Sequence, residues 1–209
     1  MSYPVRTRLR VVALCLVALT VAACARPSRP AAEPAPAAAA GNALLDEQAR
    51  EDQAVRRGGS AARNDEDRVK LVMGEIGAGR VRTPADRFNA ALVLQHSPMT
   101  FRDGALAAIS PNDYLLAHHL AKSAYEAGYE RARLLVAQTL DRYLSLTAGY
   151  QKYGTNRFIN QATGREELAP IDRNTTDAER AVYGVEPLAE LLKRYPEAPR
   201  RTTPPPRPR

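Results

Sequence analysis

At four expected helix starts a Ser or Thr stands three residues before an acid: Thr83 with Asp86, Thr100 with Asp103, Ser110 with Asp113, and Thr176 with Glu179. In such a capping box the hydroxyl accepts from a free backbone N–H of the first helical turn, and the acid favours the positive end of the helix. Pro84 and Pro111 follow their caps directly, at the helix position where a missing N–H costs nothing. The pattern predicts helices near 65–78, 84–97, 101–109, 111–127 and 129–148, then 177–183 and 187–195. Gly128 reads as the residue that ends one helix and turns the chain into an antiparallel partner. The small residues Ala117, Ala121, Ala124, Gly128 and Ala132 allow the paired helices to approach closely.

Between 149 and 173 the character changes. Phe158-Ile159-Asn160 and Leu168-Ala169-Pro170-Ile171 flank Gly164 with polar residues between, which predicts a short two-stranded hairpin. The expected fold is mainly α, an antiparallel helical-hairpin domain over 64–195 with a small β-hairpin element near its C-terminal third. Residues 42–57 read as helical but charged nearly all round, so they are expected as a marginal helix or frayed arm outside the domain. Pro196 and Pro199 are expected to end the fold, leaving a disordered Pro/Arg-rich tail over 196–209.

The formal net charge is +7, yet residues 42–195 carry equal numbers of acids and bases. The excess sits in the two ends, so the folded part has no basic footprint for nucleic acid. At the N-terminus, Arg6, Arg8 and Arg10 precede an uncharged, mostly apolar run from Val11 to Ala23. That is the layout of a signal peptide over 1–23, too short for a comfortable membrane-spanning helix of ~20 apolar residues. The run ends Val21-Ala22-Ala23-Cys24, which resembles the bacterial lipoprotein box. The resemblance implies that Cys24 is lipidated and becomes the first mature residue. Ala25 is not the Asp that usually retains such proteins in the inner membrane, so an outer-membrane, periplasm-facing anchor is implied. The Ala/Pro-rich stretch that follows, within a linker over 24–63, reads as a semi-extended spacer. Loss of Cys15 with the signal would leave no free thiol for catalysis, disulfides or metal.

Candidate chemistry is sparse. On a helix over 84–97, Phe88, Ala91, Leu92 and Gln95 share one stripe, with His96 beside it. His118 and His119 point about 100° apart on their helix, which does not suit a shared metal, and the polar reading of His118 is a hydrogen-bonded histidine at a helix edge. Asp141 lies at the border of the apolar and polar faces of its helix, where a surface carboxylate pairing with an Arg is the plain expectation. Directly after that helix comes the polar loop Gln151-Lys152-Tyr153-Gly154-Thr155-Asn156, either a structural corner or the wall of a site. No nucleophile elbow, zinc-protease or phosphate-loop motif occurs, no metal set is evident, and no cofactor is called for.

The pair Gln95-His96, Asp141-Arg142 in a later helix, the loop Gln151-Lys152-Tyr153-Gly154-Thr155 and the terminal Gly184-Val185-Glu186-Pro187-Leu188 resemble an uncharacterised bacterial domain of unknown function. That family carries a Gln-His pair, an Asp and a Gln-x-Tyr-Gly-Thr-Gln loop in this order, and the likeness spans about 84–193. Asn156 stands where the family usually has Gln. The resemblance implies that Gln95, His96, Asp141, Tyr153 and Thr155 belong to one constellation, but it brings no activity. Such a group suits either a structural network or ligand pocket, or catalysis. In the catalytic case His96 oriented by Asp141 acts as general base, and Tyr153 or N–H groups near Gly154 stabilise an anion. The expectation favours a lipid-anchored binding or scaffolding module over an enzyme. Its expected partners are the membrane through the lipid and an envelope protein or cell-wall polymer, without nucleic acid. The alternative is a small periplasmic hydrolase-like enzyme using His96 and Asp141.

Overall fold

The computed structural model describes residues 40–102, 105–160 and 162–201. The signal peptide, Cys24, the linker as far as residue 39 and residues 202–209 lie outside the described residues, as does Asp103. The described fold is mainly α, with seven α-helices, one 3-10 turn and two small antiparallel two-stranded sheets.

Helices α1 (Ala43–Arg56), α2 (Asp65–Gly77) and α3 (Pro84–Leu94) form one side of the domain. Helix α1 is no frayed arm. Asn42 caps it, its Oδ1 accepting from Leu44 N at 3.0 Å. The same residue ties α1 to its neighbours, donating from N to Asp86 Oδ1 at 2.7 Å and from Nδ2 to Glu75 Oε2 at 2.6 Å. Leu45, Gln48, Ala49 and Asp52 are buried along one stripe, so the domain begins near residue 42 and not at 64. Two members of that stripe are polar, which is why the buried face does not register as an apolar period. Leu45 joins Val69, Val72, Ala90, Val93, Leu94 and Ala117 in a core cluster.

Thr83 forms the expected capping box with Asp86, each bonding the other's backbone N–H, at 3.0 and 2.8 Å. The expected helix over 101–109 does not exist. Met99–Arg102 (β1) and Ala105–Ala108 (β2) pair antiparallel there, Met99 opposite Ala108 and Arg102 opposite Ala105. Thr100 therefore lies within a strand and caps nothing. The dipeptide between the strands, Asp103-Gly104, is of the type that two-residue hairpin loops take, and it outweighs the capping-box reading.

Helices α4 (Pro111–Glu126) and α5 (Arg133–Ala148) form the antiparallel hairpin expected around Gly128. Gly128 sits at φ 85°, and the bonds Gly128 N to Tyr125 O and Tyr129 N to Ala124 O close the end of α4 as a Schellman motif. A 3-10 turn, Glu130–Ala132, leads into α5. Ala121 and Ala124 are fully buried against Ala132, Leu135 and Val136, in one cluster with Phe88 and Ala91. Ser110 starts α4 without capping it, because its hydroxyl donates to Asp113 Oδ1 at 2.8 Å.

The C-terminal third holds the second hairpin, Arg157–Ile159 (β3) against Glu166–Leu168 (β4), as the flanks of Gly164 predict. Helices α6 (Asp177–Val182), capped by the Thr176–Glu179 box, and α7 (Leu188–Arg194) follow. Ile171 is central here. It bridges Gln151 on one side and Arg200 on the other, with Ile171 N donating to Pro199 O and Arg201 N to Ile171 O. Ala198 is buried with Leu168, Ile171 and Leu191. The fold thus runs through Arg201, and the first residues of the expected tail are part of it.

Candidate functional site

The residues singled out in the sequence divide between two buried polar centres. The first is a corner built on Asp141. Gly149, at φ 71°, ends α5 and turns the chain back along it. The loop then closes over the Asp141 carboxylate, which is fully buried. Oδ1 accepts from the backbone N–H groups of Lys152 and Tyr153, both at 2.7 Å. Oδ2 accepts from the N–H and the hydroxyl of Thr155, both at 2.8 Å. Burial pushes the Asp141 carboxyl up from its ordinary range, and these four donors work against that push. Asp141 is not the surface carboxylate that its position on the helix predicts.

Gln151 completes the corner from within. Its Oε1 accepts from Asn156 N at 2.8 Å, while Nε2 donates to Asn156 O at 3.1 Å and Ala169 O at 2.9 Å. One buried amide thereby fixes both ends of the loop and the residue that follows β4. Tyr153 is buried and stacks edge-on to Tyr183, with ring centroids 5.6 Å apart. Gly154 adopts φ 77°, and a Cβ there would lie 2.4 Å from Leu191 Cδ2 and 2.8 Å from Ile171 Cδ1. Behind the corner the fully buried Arg180 donates from Nε to Glu186 O at 2.6 Å, and its charge is drawn to Asp141. A cleft of about 430 Å³ opens beside the loop, lined by Gln138, Thr155, Arg157 and Glu186 among others.

The second centre is the one that sequence reasoning missed in part. His96 stands in the turn that ends α3, with its N–H bonded to Val93 O. Its Nδ1 lies 3.0 Å from each carboxylate oxygen of Asp52. Asp52 is fully buried and also accepts from Gln53 Nε2 at 2.9 Å and Arg56 Nη2 at 3.4 Å. Arg56 continues to Asp65 at 2.5 Å. Nearby, the buried Tyr114 donates its hydroxyl to Ser97 O, and burial pushes that phenol up to about 12.

The expected His96–Asp141 dyad is therefore not formed. Asp141 is saturated by the loop, and the carboxylate that orients His96 is Asp52. Gln95 is buried beside them and makes no side-chain hydrogen bond among the described residues. Asp52 falls on the same stripe of α1 as Leu45, Gln48 and Ala49, and that spacing is the one signal in the sequence that leads to it. His118 is the hydrogen-bonded histidine of a helix edge, Nδ1 3.2 Å from Val136 O and held below its ordinary pKa by burial. Among the described residues no three His, Cys, Asp or Glu side chains are placed to hold a metal ion. Compared with known proteins, the chain matches no family model, no curated protein and no solved structure.

Proposed function

We propose that the protein is a lipid-anchored component of the outer membrane, facing the periplasm and related to the uncharacterised bacterial domain that its motifs resemble. Its helical domain acts by binding or scaffolding. The observation that carries this reading is the Asp141 corner. Its carboxylate accepts from four donors of its own loop, so the most distinctive motif of the chain makes a rigid wall and offers no free reactive group. A rigid wall beside an open cleft is how a binding surface is held in shape. The order of basic flank, apolar run, Cys24 and Ala/Pro spacer supports the anchor. Crosslinking in intact cells tests both parts. The expected result is capture of an envelope protein or cell-wall polymer by the wild-type chain and loss of capture when Cys24→Ser prevents anchoring. No capture above background from correctly anchored protein would remove the binding reading.

One observation favours a second reading, a small hydrolase-like enzyme in which Asp52 takes the role expected of Asp141. With Nδ1 turned to Asp52, the other ring nitrogen of His96 is left for proton transfer, and the side chain is 15% exposed. Screening ester, amide and phosphoester substrates against wild type and His96→Gln tests it. Turnover that survives His96→Gln excludes the imidazole as its base.

A further inference from the structure

The cleft beside the Asp141 corner is left with free donors. Arg157, Arg194 and Glu186 all line it. Glu186 is already taken, since it forms an ion pair with Arg194. Arg157 is exposed on β3 and makes no hydrogen bond or ion pair among the described residues. Its guanidinium stands 5.6 Å from the centre of the Tyr195 ring, and that of Arg194 stands 6.0 Å from the same ring. Two cations thus gather there around one carboxylate. The other acids nearby, Glu166, Glu167 and Glu197, line a separate cavity that Arg157 does not border. The first two also accept hydrogen bonds, from the Tyr195 hydroxyl and from Asn160 Nδ2.

The rest of the lining adds to the excess. Thr155 has given both its N–H and its hydroxyl to Asp141. Lys152 and Tyr153 direct their N–H groups to the same carboxylate, and Asn156 directs its own to Gln151. Gly154, which lines the cleft, is the member of this loop whose N–H has no acceptor among the described residues. Leu134 and Gln138 stand one turn apart on α5 and both line the cleft, and the Gln138 amide makes no hydrogen bond among the described residues. Arg180 braces the Glu186 segment from inside, its Nε donating to the Glu186 carbonyl at 2.6 Å. Both Nη atoms of Arg180 are buried without a hydrogen-bond partner, and Asp141 balances their charge within the wall. Arg157 is left as the cation of the cleft with no opposite charge. A planar guanidinium fork matches the two oxygens of a carboxylate, and a free amide offers the donor and acceptor that a peptide group takes. The cleft, at about 430 Å³, has the size of a small-ligand site.

We infer that this cleft binds the free carboxylate of a peptide, which pairs with Arg157, while Gln138 takes the adjoining peptide group. The inference rests on the binding reading and names the chemistry of the ligand. Leu134 and Val185 supply apolar surface for aliphatic side chains next to the carboxylate. The closed Asp141 corner and the Arg180 brace hold the wall in place, so the cleft is formed before the ligand arrives.

The test is NMR titration of the purified, ¹⁵N-labelled full chain at constant ionic strength. Three probes are compared: N-acetyl-alanyl-alanine with its free carboxylate, the same peptide as its C-terminal amide, and inorganic phosphate. The Gly154 N–H resonance is the readout. The expected result is a saturating shift with the free acid, and binding weaker by about tenfold or more with the amide. Arg157→Gln should weaken binding of the acid by a similar factor. Arg157→Lys, which keeps the charge without the fork, should fall between the two. The melting temperature of both variants should match wild type, because Arg157 is exposed and has no hydrogen bond or ion pair in the fold to lose. Arg165→Gln removes a cation of the same hairpin that does not line the cleft, and it should bind as wild type. Shifts that never saturate, or equal binding of the acid to wild type and Arg157→Gln, overturn the site. Equal binding of acid and amide overturns the role of the carboxylate. Phosphate that binds as tightly as the peptide acid overturns the peptide assignment. Partner capture in cells by a wild-type chain that binds no peptide acid leaves the binding reading standing and removes this site alone.

Discussion

Asp52 and His96 meet across the packing of α1 on α3, with both oxygens of the carboxylate 3.0 Å from Nδ1 of the ring. The pair joins two helices separated in sequence by α2, and it turns the turn after α3 into a fixed feature of the domain. His96 is the partner that reaches this buried carboxylate from another helix, whereas Gln53 and Arg56 reach it from α1 itself. Asp52→Ala and His96→Ala should each lower the unfolding free energy by about 1–3 kcal/mol. Their effects should not add. The double variant should lose ~1 kcal/mol or more less than the sum, measured by urea denaturation of all four proteins. Strict additivity would show that the two side chains do not interact in solution.

Asp141 is the costlier residue to remove. Truncation to Ala leaves three N–H groups and one hydroxyl facing a buried void, so Asp141→Ala should destabilise by about 3 kcal/mol or more. Asp141→Asn should be intermediate, because its amide nitrogen turns donors against donors. Thermal unfolding ranks the three proteins. A wild-type melting temperature in Asp141→Ala would contradict the closed corner.

Two glycines with similar backbone angles should respond differently to alanine. Gly154 and Gly164 lie at φ 77° and 66°, and each substitution carries the strain of a left-handed residue, roughly 1–2 kcal/mol. At Gly164 nothing lies within 4 Å of the added Cβ, whereas at Gly154 it meets Leu191 and Ile171. Overpacking should add another ~1–3 kcal/mol at Gly154 alone. Equal losses in the two chemical denaturation curves would mean that the Leu191–Ile171 contact yields freely.

Glu75 and Glu179 make stability depend on acid. Glu75 is held down to about 2 from an ordinary 4.5, chiefly by its bonds from Arg80 and then Asn42. Glu179 is held down to about 2 by the Thr176 backbone N–H and by Lys152. A carboxyl that is more acidic folded than unfolded stabilises fully above its unfolded value and loses that contribution as pH falls through the folded one. The contribution of these two carboxyls should therefore be level above about pH 5 and decline toward pH 2. Glu75→Gln should flatten part of that decline in urea titrations at stepped pH. An unchanged slope in this variant would show that the Glu75–Arg80–Asn42 cluster is not populated.

Helix starts and stops in this protein are decided by neighbours within four residues, and those were legible. Thr83, Thr176 and Gly128 act through bonds to backbone groups next to them, so their roles follow from spacing alone. The β3–β4 hairpin around Gly164 follows from the same local chemistry. Thr100 shows the limit: two local signals overlap there, and the hairpin dipeptide Asp103-Gly104 prevails over the capping pattern.

The polar interior belongs to the tertiary structure. Asp52 lies on a helix that looks solvated from its charges, and only the docking of α1 through Asn42 to Glu75 and Asp86 takes it out of water. Asp141 was legible as important but not as buried, because the loop that closes on it gathers donors eleven to fourteen residues downstream. The partner of His96 could not be read from order along the chain, since two carboxylates were available and packing chose between them. Short-range hydrogen bonding is written in residue spacing, whereas the choice of partner for a buried charge depends on which distant surfaces exclude water together.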